Sequence, residues 1–183
     1  MLTNPYKPDG NNLLPNWVVP LDGTTAVPPV LARGEGTVFT ATDAGTAYAI
    51  DVGTTTVQWT GSIGTAAIGG LALGDGVLFV PTAAGALFAF AADGCGAATC
   101  EAKWGASAGS KMTVRPAVAG GVVYTGSANG VVSAANAKGC GSNLCPMIWS
   151  APTGSAITGG PSVFDGRVFV GTTDGRVVAF GLP

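Results

Sequence analysis

The sequence predicts an all-β fold, a β-propeller of four blades with four antiparallel strands each, and three kinds of regularity predict it. Tryptophans recur at Trp17, Trp59, Trp104 and Trp149, spaced by 42, 45 and 45 residues. A glycine opens a short apolar run in every period: Gly36-Thr37-Val38-Phe39, Gly76-Val77-Leu78-Phe79, Gly121-Val122-Val123-Tyr124 and Gly166-Arg167-Val168-Phe169. Six residues past each aromatic stands a turn glycine (Gly45, Gly85, Gly130, Gly175), and four past that an alanine (Ala49, Ala89, Ala134, Ala179). Pro29, Pro116 and Pro161 keep the same phase, each 12 residues beyond a tryptophan.

After a polar lead over residues 1–12, one domain occupies residues 13–183. Each period reads as four strands. The first is short and starts at the proline or its equivalent, as in Pro116-Ala117-Val118-Ala119. The second carries the glycine-led apolar run. The third follows a tight turn, for which Asn129-Gly130 and Asp174-Gly175 are strong signals, because both residue types accept the positive φ that two-residue hairpins need. The fourth holds the tryptophan. Helical solenoids share this period length, but the β-branched, glycine-punctuated pattern excludes them.

The amino-terminal run Leu13-Leu14-Pro15-Asn16-Trp17-Val18-Val19 has the character of a fourth strand, and the sequence finishes just after a third strand, Arg176–Phe180. The expectation is that the N-terminal strand closes the last blade and removes an exposed sheet edge.

Composition excludes several function classes. Charged residues make up only 10% of the chain, against roughly 25% in an average soluble protein. The eight cations are scattered and the net charge is −2, so the clustered basic footprint of a nucleic-acid binder is missing. Mean hydropathy is +0.43, yet no apolar run approaches the roughly 18 residues of a membrane-spanning helix. Met1-Leu2-Thr3-Asn4-Pro5 does not open a secretory signal, so an export reading places that signal outside this sequence.

The segment Ala49-Ile50-Asp51-Val52-Gly53-Thr54-Thr55-Thr56-Val57-Gln58-Trp59 resembles the blade motif A-x-D-x-x-T-G-x-x-x-W of the pyrroloquinoline-quinone-like (PQQ-like) propellers. Ala49, Asp51, Thr54 and Trp59 match, and Thr55 stands in place of the glycine. Ala89 with Trp104, and Ala134 with Trp149, keep the ends of the motif around a longer loop. The resemblance covers nearly all of residues 13–183. It implies that Trp17, Trp59, Trp104 and Trp149 dock neighbouring blades, in keeping with an indole that buries a large area while its N–H finds a backbone acceptor. The family includes quinoprotein alcohol dehydrogenases, outer-membrane assembly lipoproteins and sensor domains of bacterial membrane kinases.

Cys95 and Cys100 enclose four residues, as do Cys140 and Cys145, and the pairs lie 45 apart in the loops between third and fourth strands. The reading is two local disulfides, which point to an oxidising compartment. Four thiolates could hold a metal only if the two loops met.

The chain contains no histidine, which removes histidine-based nucleophilic catalysis and histidine-ligated metals. Its carboxylates mostly abut glycines or turns, where aspartate caps backbone groups. Asp51 is expected to bond the N–H groups of the following turn. Quinoprotein dehydrogenases of the resembled family bring calcium ligands, a catalytic aspartate and usually a disulfide between adjacent cysteines, and no two cysteines are adjacent here. No catalytic, cofactor-binding or metal-binding residue is therefore assigned. A binding rim is expected at Lys111, Met112 and Arg115, in a loop between successive blades.

The function expected is non-catalytic: an extracytoplasmic or secreted module for binding or scaffolding through loop rims. The alternatives are a fragment of a quinoprotein dehydrogenase, a carbohydrate-active propeller enzyme, or the sensor domain of a membrane kinase. Four blades closing on themselves must diverge by about 90°, whereas eight need about 45°. Small residues on the inner segments (Ala72, Ala117, Ala119, Gly159, Gly160) favour close, nearly parallel sheets and hence a homodimer of two four-blade halves, each Trp17 strand closing the partner's last blade; a four-bladed ring within one chain is the alternative.

Overall fold

The computed structural model describes residues 17–181 except positions 33 and 35. The first sheet contains β1 (Val30–Leu31), β2 (Thr37–Ala41), β3 (Thr46–Asp51) and β4 (Val57–Ser62). The second contains β5 (Ala72–Gly74), β6 (Val77–Pro81), β7 (Ala86–Ala91) and β8 (Trp104–Ser107). The third contains β9 (Ala117–Ala119), β10 (Val122–Gly126), β11 (Val131–Asn136) and β12 (Trp149–Pro152). The fourth has β13 (Ile157–Phe164), β14 (Arg167–Thr172) and β15 (Val177–Gly181). Every sheet is an antiparallel meander in chain order, so each hairpin hands the chain to the next strand outward.

The repeat markers acquire physical reasons. The turn glycines adopt φ between 77° and 91°, a left-handed conformation that costs little without a β-carbon. A hydroxyl three residues before each of them closes the hairpin: Thr82 Oγ1 donates to Ala86 O at 2.9 Å, Ser127 Oγ to Val131 O at 2.8 Å and Thr172 Oγ1 to Arg176 O at 3.1 Å. Thr42 makes the same bond to Thr46 O, at 3.4 Å. The recurring alanines lie opposite the tryptophans, as Ala49–Trp59, Ala89–Trp104 and Ala134–Trp149.

Three apolar cores join successive sheets. Phe39, Ala49 and Trp59 pack with Leu78, Val80 and Phe90 between the first and second. Phe79, Leu87 and Trp104 pack with Val123 and Ala135 between the second and third. Tyr124 and Val132 pack with Ile157, Val168 and Val170 between the third and fourth. Near the axis small residues permit the approach: a β-carbon on Gly74 would stand 2.7 Å from Val118 Cγ1, and one on Gly160 would stand 3.0 Å from Arg115 O. Among the described residues none of these cores joins the fourth sheet to the first.

The fourth blade departs from the expected four strands. Among the described residues β15 has no outer neighbour, and Trp17–Val19 form no strand, while Leu13–Asn16 lie outside the described residues. At the other end of the series the segment after Trp17 is tied to the first sheet, where Thr24 O accepts from the Asp43 amide at 3.0 Å. Closure of the ring within one chain is not seen among the described residues.

Candidate functional site

The most organised features outside the sheets are the junctions between them. Trp59 lies between Phe39 of its own sheet and Phe90 of the next, with ring centroids 6.0 and 5.7 Å away, and its Nε1 donates to Ala92 O at 3.3 Å. Trp104 is equally buried at 2% exposure, but its Nε1 finds no acceptor among the described residues, contrary to the expectation that each indole N–H is satisfied. Trp149 is only half-buried and meets Phe180 edge-on at 5.4 Å. Trp17 is half-buried outside any sheet.

Both cysteine pairs are disulfide-bonded, Cys95–Cys100 and Cys140–Cys145. Their loops do more than clamp their own hairpins. Thr60, just past Trp59, donates its amide to Ala98 O at 2.9 Å and accepts from the Cys100 amide at 2.7 Å. Gly105, just past Trp104, does the same with Asn143 O and the Cys145 amide, each at 2.8 Å. Each closed loop thus adds a parallel bridge to the outer strand of the preceding sheet and covers the indole beside it. Spacing alone gave the pairing; this inter-sheet contact is a tertiary property with no local signature.

At the third junction, Ser150 occupies the place of Thr60 and Gly105 and is exposed. There a cavity of about 390 Å³ opens beside Trp149, lined also by Tyr124, Ala134, Ile148 and Val163. Burial pushes the Tyr124 hydroxyl above its usual pKa.

The expected rim at Lys111, Met112 and Arg115 needs correction. Exposure alternates along residues 111–115: Lys111, Thr113 and Arg115 face outward, and Met112 and Val114 are buried. Met112 is a fully buried member of the core between the second and third sheets, so it offers nothing to a partner. Lys111 is held near the rim by its carbonyl, which accepts from Ala128 at 2.8 Å. Arg115 instead lies nearer the axis, beside a cavity of about 410 Å³ shared with Leu31, Leu73 and Asp75.

The perturbed carboxylates are each engaged by neighbouring hydroxyls, amides or a guanidinium. The Thr46 hydroxyl, helped by Thr42 at 2.8 Å, holds Asp22 below the usual carboxylate pKa. The Thr24 hydroxyl does this for Asp43. The Thr54 amide, 2.7 Å from Asp51 Oδ1, lowers Asp51, which is the turn bond expected of the motif aspartate. Arg176, with Nε 2.7 Å from Oδ2, lowers Asp174. These groups stabilise turns in their ionised form and are poorly suited to proton transfer near neutral pH.

Comparison with known proteins matches this architecture. A family model described as "Outer membrane protein assembly factor BamB" matches residues 16–139. BamB from Moraxella catarrhalis is similar in structure, with a TM-score of 0.65 and 21% identity over 88% of this chain and 43% of BamB. The computationally designed Ika8 protein gives 0.68 and 16%, covering 84% of this chain and 45% of Ika8. The designed Ika4 protein gives 0.70 and 18%, covering 93% of this chain and all of Ika4. At these identities the likeness is one of fold, and the chain spans less than half of BamB and Ika8. No curated protein matches it.

Proposed function

The chain belongs to the BamB-like family of PQQ-repeat propellers, and from that premise we propose that it is an extracytoplasmic module that binds and organises protein partners without transforming a substrate. One observation carries this reading: the perturbed carboxylates are all committed to turns in their charged form, so none is poised as a general acid or base. The two disulfides and the likeness to a protein named as an outer-membrane assembly factor support an oxidising compartment outside the cytoplasm. Lys111 supplies an exposed cationic contact on the inter-blade loop, and function of this kind resides in such rims.

The partner best supported is a second copy, two four-sheet halves forming one eight-bladed ring. The series of sheets is open at both ends among the described residues.

Titration calorimetry with pyrroloquinoline quinone and calcium tests the non-catalytic reading. No saturable heat is expected with either, alone or together. Stoichiometric binding of the quinone at micromolar concentration overturns it in favour of a dehydrogenase fragment.

A further inference from the structure

The junctions between sheets share a register that the two ends of the series also carry. Each tryptophan lies opposite an alanine of the third strand: Ala49–Trp59, Ala89–Trp104, Ala134–Trp149. Four residues on, the amides of Ile63, Ala108 and Thr153 donate to the turn-glycine carbonyls of Gly45, Gly85 and Gly130 at 2.9, 2.9 and 2.7 Å. Seven residues on, the carbonyls of Ala66, Lys111 and Ala156 accept from Ala83, Ala128 and Thr173 of the next sheet, at 2.9, 2.8 and 2.9 Å. Thr24, seven residues past Trp17, accepts from Asp43 of the first sheet in the same way, at 3.0 Å. The Asp22 carboxylate reinforces this joint through Thr42 and Thr46, and its amide reaches the Tyr48 hydroxyl at 3.3 Å.

The first sheet therefore receives residues 22–24 as the other sheets receive the crossover from the sheet before them. Trp17–Pro20 has the exposure pattern of β12: Trp17 and Val19 are half-buried and Val18 and Pro20 exposed, as are Trp149 and Ala151, and Ser150 and Pro152. Pro20 even repeats Pro152, three residues past its tryptophan. At the other end of the series the complementary positions stand open among the described residues. A β-carbon on Gly45, Gly85 or Gly130 would meet the crossover at 2.8, 2.6 or 2.4 Å, whereas one on Gly175 would meet nothing within 4 Å. Val177 of β15 is 76% exposed, and so is Val18.

We propose that two copies exchange this strand: Trp17–Pro20 of each chain adds to β15 of the other, with Trp17 opposite Ala179, Val18 opposite Val178, and the Leu21 amide on the Gly175 carbonyl. The exchange rests on the paired-halves reading above and fixes its register. It is independent of the non-catalytic reading. Both the donor segment and the acceptor edge are offered by every chain, at opposite ends, so two exchanges close one ring and leave no free edge at either junction.

The register yields a sharp test. In β8 the amide and carbonyl of Gly105 both point to the Cys140–Cys145 loop, away from β7, so Phe88–Gly105 is a non-hydrogen-bonded pair. Val178–Val18 is its counterpart, a site where opposed β-carbons come close enough for a disulfide. Val18→Cys and Val178→Cys chains, tagged differently, are co-expressed and oxidised mildly. Strand exchange predicts a covalent heterodimer as the main product, little from either variant alone, and little from Val18→Cys with Phe180→Cys. A Val18→Cys/Val178→Cys chain that cross-links only within a monomer overturns exchange in favour of a closed single-chain ring. A dimer by light scattering that fails to cross-link overturns the register while leaving paired halves standing, and a monomer overturns both.

Discussion

The α-carbon of Gly139 rests on the indole of Trp104 so closely that a β-carbon there would stand 2.5 Å from Cδ1. Gly94 lies on Trp59 in the same manner, with the corresponding distance 2.7 Å. Both glycines adopt positive φ, 85° and 83°, and both immediately precede a disulfide-closed loop. Glycine, indole and disulfide form one interlocking joint, used at two successive junctions.

Gly139→Ala therefore incurs both a left-handed backbone and an overpacked indole, together about 2–4 kcal/mol. Urea unfolding checks this. A loss below about 0.5 kcal/mol, the size of an ordinary surface change, contradicts the contact.

Removing the second disulfide as Cys140→Ser/Cys145→Ser frees a loop of about six residues and costs about 2 kcal/mol on the chain-entropy estimate. Because that loop covers Trp104, the loss comes with red-shifted tryptophan fluorescence in the folded state. Unchanged emission would mean that the loop does not depend on its bridge.

Met112 separates core from rim. Met112→Ala empties a fully buried site and costs about 2–5 kcal/mol, whereas Lys111→Ala next to it stays within about 0.5 kcal/mol. Paired denaturation curves distinguish them. Equal, small effects would return Met112 to the surface.

Below about pH 8, stability is predicted to fall only with acid. Asp22, Asp43, Asp51 and Asp174 are all held below the usual 3.8, chiefly by Thr46, Thr24, the Thr54 amide and Arg176 respectively. A carboxyl depressed in the fold binds protons more readily when unfolded. Its contribution is thus complete above the unfolded pKa of about 4 and disappears as pH falls through the folded values. With no histidine in the chain, the thermal midpoint should be flat from about pH 5 to 8 and drop below about pH 4. Asp22→Asn should shrink that acid drop. A midpoint that falls between pH 7 and 5 contradicts this assignment.

Much of the architecture was legible because each blade repeats the same local requirements. A positive-φ turn needs Gly45 and its successors, and the pairing of third and fourth strands sets Ala49 and its successors opposite tryptophan. The hydroxyls of Thr42, Thr82, Ser127 and Thr172 were as regular, three residues before each turn glycine, but a serine–threonine exchange in a polar turn is a quiet signal. The burial of Met112 was legible too, since the polar–apolar alternation from Lys111 to Arg115 marks a half-buried extended segment, although the cations flanking it point to a rim. The bridge from Thr60 to Thr99 and the tether from Thr24 to Asp43 were not legible, since both join residues whose proximity only the assembled sheets create.

Mass in solution tests the central claim, that four sheets from one chain make half of a ring. Size-exclusion chromatography with light scattering at micromolar concentration should give twice the 17.9 kDa chain mass. Trp17→Ala, which weakens the exchanged strand, should shift the population toward one chain. A wild-type sample that runs at a single chain's mass while remaining folded contradicts the account.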